Sequence, residues 1–255
     1  MKVEVIMLKE TDLESVKAIA KSLLRLPILE TEYTPIIVSH PFTKCGIVTI
    51  LDGEEFCQLD ITKNSESLKK WQSQMSKQID ESHNTHFVYY LLNDSYRLMF
   101  LNDISKYLSI EDFSDLLGDA WVTSDYANLD RNVTKQQLLK LFKSANKSKL
   151  MSEDELETFN NFDDEIVVYR GVSLGNINNI KALSWTTSFG KAKWFSERWG
   201  KGGKIYSATI DKENILAFFD RKNEDEVIVD FNKLQNIKPT TKPESPPQKN
   251  AKSME

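Results

Sequence analysis

Apolar positions recur at two different periods along the chain, and the change from one to the other divides it. From Ser65 to Phe162 the period is helical. "SESLKKWQSQMSKQID", "HFVYYLLNDSYRLMFLNDISKYL", "IEDFSDLLGDAWV", "TKQQLLKLFKSAN" and "SEDELETFNNF" each space apolar residues three and four apart, so each predicts a helix with one hydrophobic stripe. Thr134 and Ser152 stand where N-caps are expected. Near Asp164 the pattern becomes that of strands. "EIVVYRG", "ALSWTTS", "KIYSATI", "ILAFF" and "EVIVD" predict five, with one helix, "FGKAKWFSERWG", among them. "GKGG" from Gly200 to Gly203 lacks the flanks of a Walker-type phosphate loop and reads as a helix stop and turn.

The beginning is mixed. "VEVIML" predicts a strand, and "TDLESVKAIAKSLLRL" a helix capped by Thr11 or Asp12, with Leu13, Val16, Ile19, Leu23 and Leu24 as its stripe. "TPIIVSHPF", "GIVTILDG" and "EFCQLDI" follow as strands, with Asp52-Gly53 as a hairpin signal. The expected organisation is a small α+β accessory region over 1–65, a helical lobe over 66–162 and a strand-rich lobe over 163–237. "KPTTKPESPPQKNAKSME" holds four of the seven prolines and almost no large apolar group, so a disordered tail is expected over 238–255. The fold class is α+β.

Composition changes this picture little. The 255 residues are 40% hydrophobic and 28% charged with net charge −5, which suits a globular protein and argues against a general nucleic-acid coat, though not against a local basic face. No apolar run approaches the roughly 20 residues that span a bilayer. Glu4, Lys9, Glu10 and Asp12 interrupt any signal-peptide core, so a cytoplasmic location is expected. Cys45 and Cys57 are expected as reduced thiols, the alternative being a bridge between neighbouring hairpin strands. His83 and His86 lack further ligands at metal-site spacing, and no metal is expected. The aromatic residues Phe87, Tyr89, Tyr90, Tyr96, Phe100, Trp121 and Tyr126 read as helix-packing core.

Chemistry concentrates in the strand-rich lobe. In "VVYRG", Arg170 lies within an apolar strand, where its guanidinium needs an anion. "LSWTTS" brings hydroxyls to a strand end just before a helix; they can cap that helix, hold a ribose or orient a carboxylate. "EDEVIVD" sets Glu224 and Glu226 two apart, on one face if both belong to the strand. Each feature also has an ordinary structural reading: an ion pair, a cap, a solvated strand end.

In this order the set "YRG … SWT … E-x-E-V-I-V" resembles the Arg-Ser-Glu class of mono-ADP-ribosyltransferases, over roughly residues 84–237. The usual Ser-Thr-Ser of that class has two registers here, Ser184-Trp185-Thr186 and Thr186-Thr187-Ser188; the distance to "AKWF" favours the first. The resemblance implies two packed, mainly antiparallel sheets around an NAD cleft, with NAD as co-substrate. It implies Glu226 as the catalytic carboxylate and Glu224 as the residue that positions and deprotonates the nucleophile. Arg170, Gly171, Ser184, Thr186 and Trp194 would bind NAD; Phe195 is a second aromatic candidate beside Trp194 but is expected as core. Phe218, Phe219 and Arg221 fall in the segment that meets the acceptor. E-x-E implies protein arginine as acceptor; some relatives modify nucleic-acid bases, and Lys191, Lys193, Arg198, Lys201 and Lys204 are candidates for a basic rim. Such enzymes serve as phage effectors or as toxins of defence and toxin–antitoxin pairs, which makes an antitoxin or a host protein an expected partner. The alternatives are an NAD glycohydrolase and a non-catalytic binding module. Arg170, Ser184 and Glu226 are expected to converge on one dinucleotide-sized pocket.

Overall fold

A computed structural model of the protein describes residues 10–124, 130–176, 178–200 and 202–244. The strand predicted from "VEVIML", Tyr126, Lys201 and residues 245–255 lie outside them. The chain forms two compact units, Met1–Ser124 and Asp125–Glu255. The boundary cuts the expected helical lobe: its first helices belong with the N-terminal α+β region and its last with the sheet. No described helix is long and apolar enough to cross a membrane.

The first unit opens with α1 (Leu13–Leu24), capped by Asp12, whose carboxylate accepts from the Ser15 amide. Thr11 does a different job, accepting from the Ser109 amide. Five short strands follow: β1 (Leu29–Glu30), β2 (Ile37–His40), β3 (Thr43–Cys45), β4 (Ile47–Asp52) and β5 (Glu55–Asp60). The first three form one antiparallel sheet, and the last two a hairpin that turns at Gly53, where φ is +65°. Cys45 and Cys57 lie on separate sheets as free thiols. Helices α2 (Ser65–Glu81), α3 (Thr85–Leu91), α4 (Asp94–Ile104) and α5 (Ile110–Thr123) complete the unit.

One predicted helix is two. Asn93 ends α3 and caps α4 through the Ser95 amide, while its Nδ2 donates to the His40 carbonyl at 2.7 Å. A short polar side chain that bonds the backbone locally breaks a helix wherever tertiary contacts reward it. Tyr89, Phe100 and Trp121 are core, whereas Phe87 and Tyr90 are exposed, so the aromatic residues divide between the two. His86 pairs with Asp115 at 2.7 Å.

In the second unit α6 (Lys135–Ser144), α7 (Lys147–Leu150) and α8 (Glu153–Asn160) precede the sheet. Thr134 and Ser152 form capping boxes with Gln137 and Glu155, as their positions predict. Then come β6 (Glu165–Val172), β7 (Ser184–Thr186), α9 (Phe189–Glu197), β8 (Lys204–Asp211), β9 (Ile215–Phe219), β10 (Glu226–Val229) and β11 (Gln235–Thr240). All six strands form one antiparallel sheet in the order β11-β8-β6-β7-β10-β9. The two packed sheets expected above are therefore one sheet among the described residues, but its halves touch weakly. β6 and β8 pair over eight positions, β6 and β7 only at Tyr169↔Thr186.

β11 corrects the expected tail. Lys238, Pro239 and Thr240 pair with Ser207, Tyr206 and Ile205, and Glu244 accepts from the Ser207 hydroxyl at 2.6 Å. Pro239 is tolerated because β11 is an edge strand, where a missing N–H costs no ladder bond.

Candidate functional site

The junction between the two half-sheets carries the predicted residues. Tyr169, Arg170, Gly171, Ser184, Trp185, Thr186, Phe195, Glu224 and Glu226 line a small cleft with a cavity volume of about 30 Å³. Arg170, Ser184 and Glu226 thus do meet at one place. At about 30 Å³ it is far smaller than the dinucleotide-sized pocket expected, since sites for whole small-molecule ligands run from roughly 300 to 1,000 Å³.

Arg170 is buried, and its guanidinium clamps the weak junction. Nε donates to the Asn179 carbonyl at 3.0 Å, and Nη1 to the Ser184 carbonyl. Burial lowers its pKa to about 10, opposed by the negative charge of Glu226. The anion required by the sequence is thus a carboxylate of the fold, and the hydrogen bonds go to backbone. Arg170 lines the cavity with Nε and Nη1 engaged by backbone carbonyls.

The hydroxyl-rich segment separates into distinct jobs. Ser184 begins β7 and faces the cavity. Thr186 is buried, and its hydroxyl donates to the Glu224 carbonyl at 2.8 Å while accepting from the Ser188 amide at 3.1 Å. Ser188 caps α9 through the Lys191 amide. The Ser184-Trp185-Thr186 register therefore faces the cavity, and the second register ends in a helix cap.

Glu226 opens β10 between Thr186 on one side and Phe219 on the other. Glu224 does not share that strand. It sits in a loop between two left-handed residues, Asn223 (φ 54°) and Asp225 (φ 46°), so strand alternation is not what brings the two carboxylates together. The loop is held at many points. Thr186 binds Glu224, the Thr187 amide donates to the Asp225 carbonyl at 3.0 Å, and Lys191 Nζ donates to the Asn223 carbonyl. Glu155 on α8 accepts from the Asp220 amide at 2.9 Å and pairs with Arg221 at 3.2 Å. Backbone in a sparsely populated region persists where its surroundings over-determine it, as they do here. Burial raises the Glu224 pKa, against the lowering fields of Lys222, Arg198 and Lys191.

Three expected assignments move. Phe219 is 2% exposed within the fully buried strand β9, and Phe218 packs edge-on against Phe162 at 5.5 Å, so neither faces an acceptor. Arg221 holds Glu155 and the Leu150 carbonyl and is structural. Trp194 is 54% exposed and does not line the cavity, where its neighbour Phe195 stands instead. Gly171 does line the cavity, but its necessity is steric. A Cβ there would lie 2.0 Å from the Ala192 carbonyl oxygen, so only glycine lets α9 lie on β6. Gly203 is constrained in the same way by the Ser196 carbonyl at 1.9 Å.

Sequence reading missed Glu155 and Tyr169, and gave Lys191 only as a candidate for a basic rim. Glu155 was visible only as one acid of "EDELE", and no local signal ties it to a loop 65 residues downstream. Comparison of the chain with protein-family models and with curated proteins, and of its fold with solved structures, returned no match in any of the three.

Proposed function

We propose that the protein cleaves NAD between nicotinamide and ribose and transfers the ADP-ribose to a macromolecular acceptor, as a mono-ADP-ribosyltransferase. One observation carries the reading: two carboxylates, Glu224 and Glu226, share a small cavity with Ser184 and the buried guanidinium of Arg170. Loss of nicotinamide leaves an oxocarbenium-like sugar, and a fixed carboxylate at the cavity wall stabilises that charge. Glu226 has this role. Arg170, at hydrogen-bonding distance from the carbonyl of Ser184, holds that strand end in place. Phe195, in the cavity wall, is an aromatic residue beside this chemistry.

Glu224 serves the acceptor. Its raised pKa moves it toward the range where a carboxylate takes a proton efficiently at neutral pH. The test is a pair of assays, nicotinamide release and transfer of label from NAD to macromolecules in a lysate. Glu226→Gln is expected to lower both by about 10²- to 10³-fold, the usual cost of losing one preorganised electrostatic contact. Glu224→Gln is expected to lose transfer while keeping nicotinamide release. Equal, undiminished activity in both variants, or none in the wild type, rejects the reading.

A further inference from the structure

Five tryptophans occupy the chain, and three of them, Trp71, Trp121 and Trp185, are buried. The other two belong to one surface. Trp194 on α9 is 54% exposed and Trp199, just beyond the helix, is 68% exposed. The Arg198 guanidinium lies over both rings, 5.2 Å from each centroid. Exposed indole rings held by a shared arginine form a flat, cationic aromatic surface, and large exposed aromatic groups grouped in this way mark a binding surface.

The surface adjoins the cavity. Lys191, Trp194, Phe195 and Arg198 follow one helical stripe at spacings of three and four. Phe195 lines the cavity, the Trp194 ring meets it edge-on at 5.0 Å, and Lys191 binds the loop that carries Glu224. Beside Arg198, Lys191 and Lys222 also lie near enough to Glu224 for their charge to act on it. A chain with net charge −5 thus sets three cations, Lys191, Arg198 and Lys222, at the Glu224 end of this surface.

We infer that this platform seats single-stranded nucleic acid and presents an unpaired base to Glu224 as the acceptor. Bases stack on the indole rings and the guanidinium, and the phosphates between them meet the lysines. A duplex hides its base faces and leaves the rings unused. A protein arginine, by contrast, would bring a cation among Lys191, Arg198 and Lys222 to reach Glu224, at an electrostatic cost. The acceptor half of this inference rests on the transferase reading; the binding half does not. In the transfer, a nitrogen lone pair of the base forms the new bond to ribose C1′. The C1′–nicotinamide bond breaks with its electron pair going to the cationic pyridinium nitrogen, which leaves neutral. The proton lost by the base nitrogen passes to the Glu224 carboxylate and then to water.

The experiment titrates the full chain against fluorescein-labelled 12-nucleotide mixed-sequence DNA and RNA, single-stranded and duplex, read by anisotropy at several salt concentrations. Single strands are expected to bind more tightly than duplex, with affinity falling steeply as salt rises. Trp194→Ala and Trp199→Ala are each expected to weaken single-strand binding by roughly tenfold or more. Both side chains are exposed, so unchanged circular dichroism checks the fold, and Trp199→Ala is expected to keep nicotinamide release at the wild-type rate. With labelled NAD and the same oligonucleotides, label is expected on the single strand and removable by nuclease. Absence of single-strand binding, binding indifferent to both tryptophan variants, or label found only on protein overturns the inference. Oligonucleotide binding as expected without any nicotinamide release overturns the transferase reading and leaves the binding surface standing.

Discussion

In the Met1–Ser124 unit most buried polar side chains are hydroxyls bonded close to home. Ser82 donates to the Gln78 carbonyl, Ser105 to Asn102 and Ser114 to Ile110, each within about one helical turn. Lys17 is the charged exception, reaching the Asp80 carbonyl and Glu14. Among the described residues the Asp125–Glu255 unit buries three charges, Glu155, Arg170 and Asp230, each bonded to a residue of another segment. Hydroxyls that satisfy themselves locally allow a helix to enter a core without specifying its neighbours. Buried charges need partners in one particular arrangement, and removing a partner leaves an uncompensated ion. Long-range polar contacts hold the first unit too, as Thr11 with Ser109 and Asn93 with His40 show; what sets apart the unit that carries the candidate site is the buried charge it has to partner.

The largest expected effect breaks this arrangement by volume alone. Gly171→Ala forces a Cβ against the Ala192 carbonyl and is expected to cost about 3 kcal/mol or more. Gly53→Ala in the other unit meets nothing within 4 Å and has only its left-handed φ against it, an expected loss of about 1 kcal/mol. Urea unfolding followed by circular dichroism ranks the two. A Gly171→Ala protein as stable as Gly53→Ala would mean that α9 has room to move off β6.

Arg170→Lys keeps the charge but cannot reach the Asn179 and Ser184 carbonyls together. A loss of about 2–3 kcal/mol is expected, mostly from the carbonyls left unpaired in a buried setting. Lys17→Met, which removes the matching exception in the first unit, should cost about 1 kcal/mol. Comparable losses from both would erase the contrast between the units.

Acid should act on the two units at different pH. His40 is fully buried, and burial lowers its pKa below the ordinary value of about 6.5. The unfolded chain then takes up a proton that the folded one refuses, so stability is present above about pH 6.5 and falls as pH drops below it. At Asp230, burial raises the pKa, but the Lys143 and Asn232 hydrogen bonds outweigh this and the net shift is downward. That contribution is present above about pH 4 and is lost as pH falls through the lowered folded value. Stability against pH for His40→Asn and Asp230→Asn separates them: the first should flatten the upper acid limb, the second the lower. A limb that survives its own substitution assigns it to another group.

The smallest expected effect tests where the units should not differ. Ser109→Ala and Thr134→Ala each remove an N-cap, one in each unit, and each should cost about 1 kcal/mol by thermal unfolding. A cap satisfies amides within its own turn, so its value depends little on which unit surrounds it.

Periodicity and caps made most elements legible. The strands at "EIVVYRG", "KIYSATI", "ILAFF" and "EVIVD" and the capping boxes at Thr134 and Ser152 lie where the pattern puts them. β11 was not legible, because Pro239 and the lysines around it carry the composition of a tail, and only pairing with β8 orders them. Nor was the break at Asn93, which depends on a bond to the His40 carbonyl 53 residues earlier.

For the candidate site, sequence alone determined which residue types stand near which strands, and that sufficed to single out Arg170, Ser184, Glu224 and Glu226. Tertiary structure decided what each can do. It turned Arg170 toward backbone carbonyls, buried Phe219 in β9, exchanged Trp194 for Phe195 at the cavity wall, and brought Glu224 beside Glu226 through a clamped loop. The physical reason is range. Side-chain period and capping act over a few residues and are written in them, whereas burial and the partners of a charge depend on segments that only the folded chain brings together.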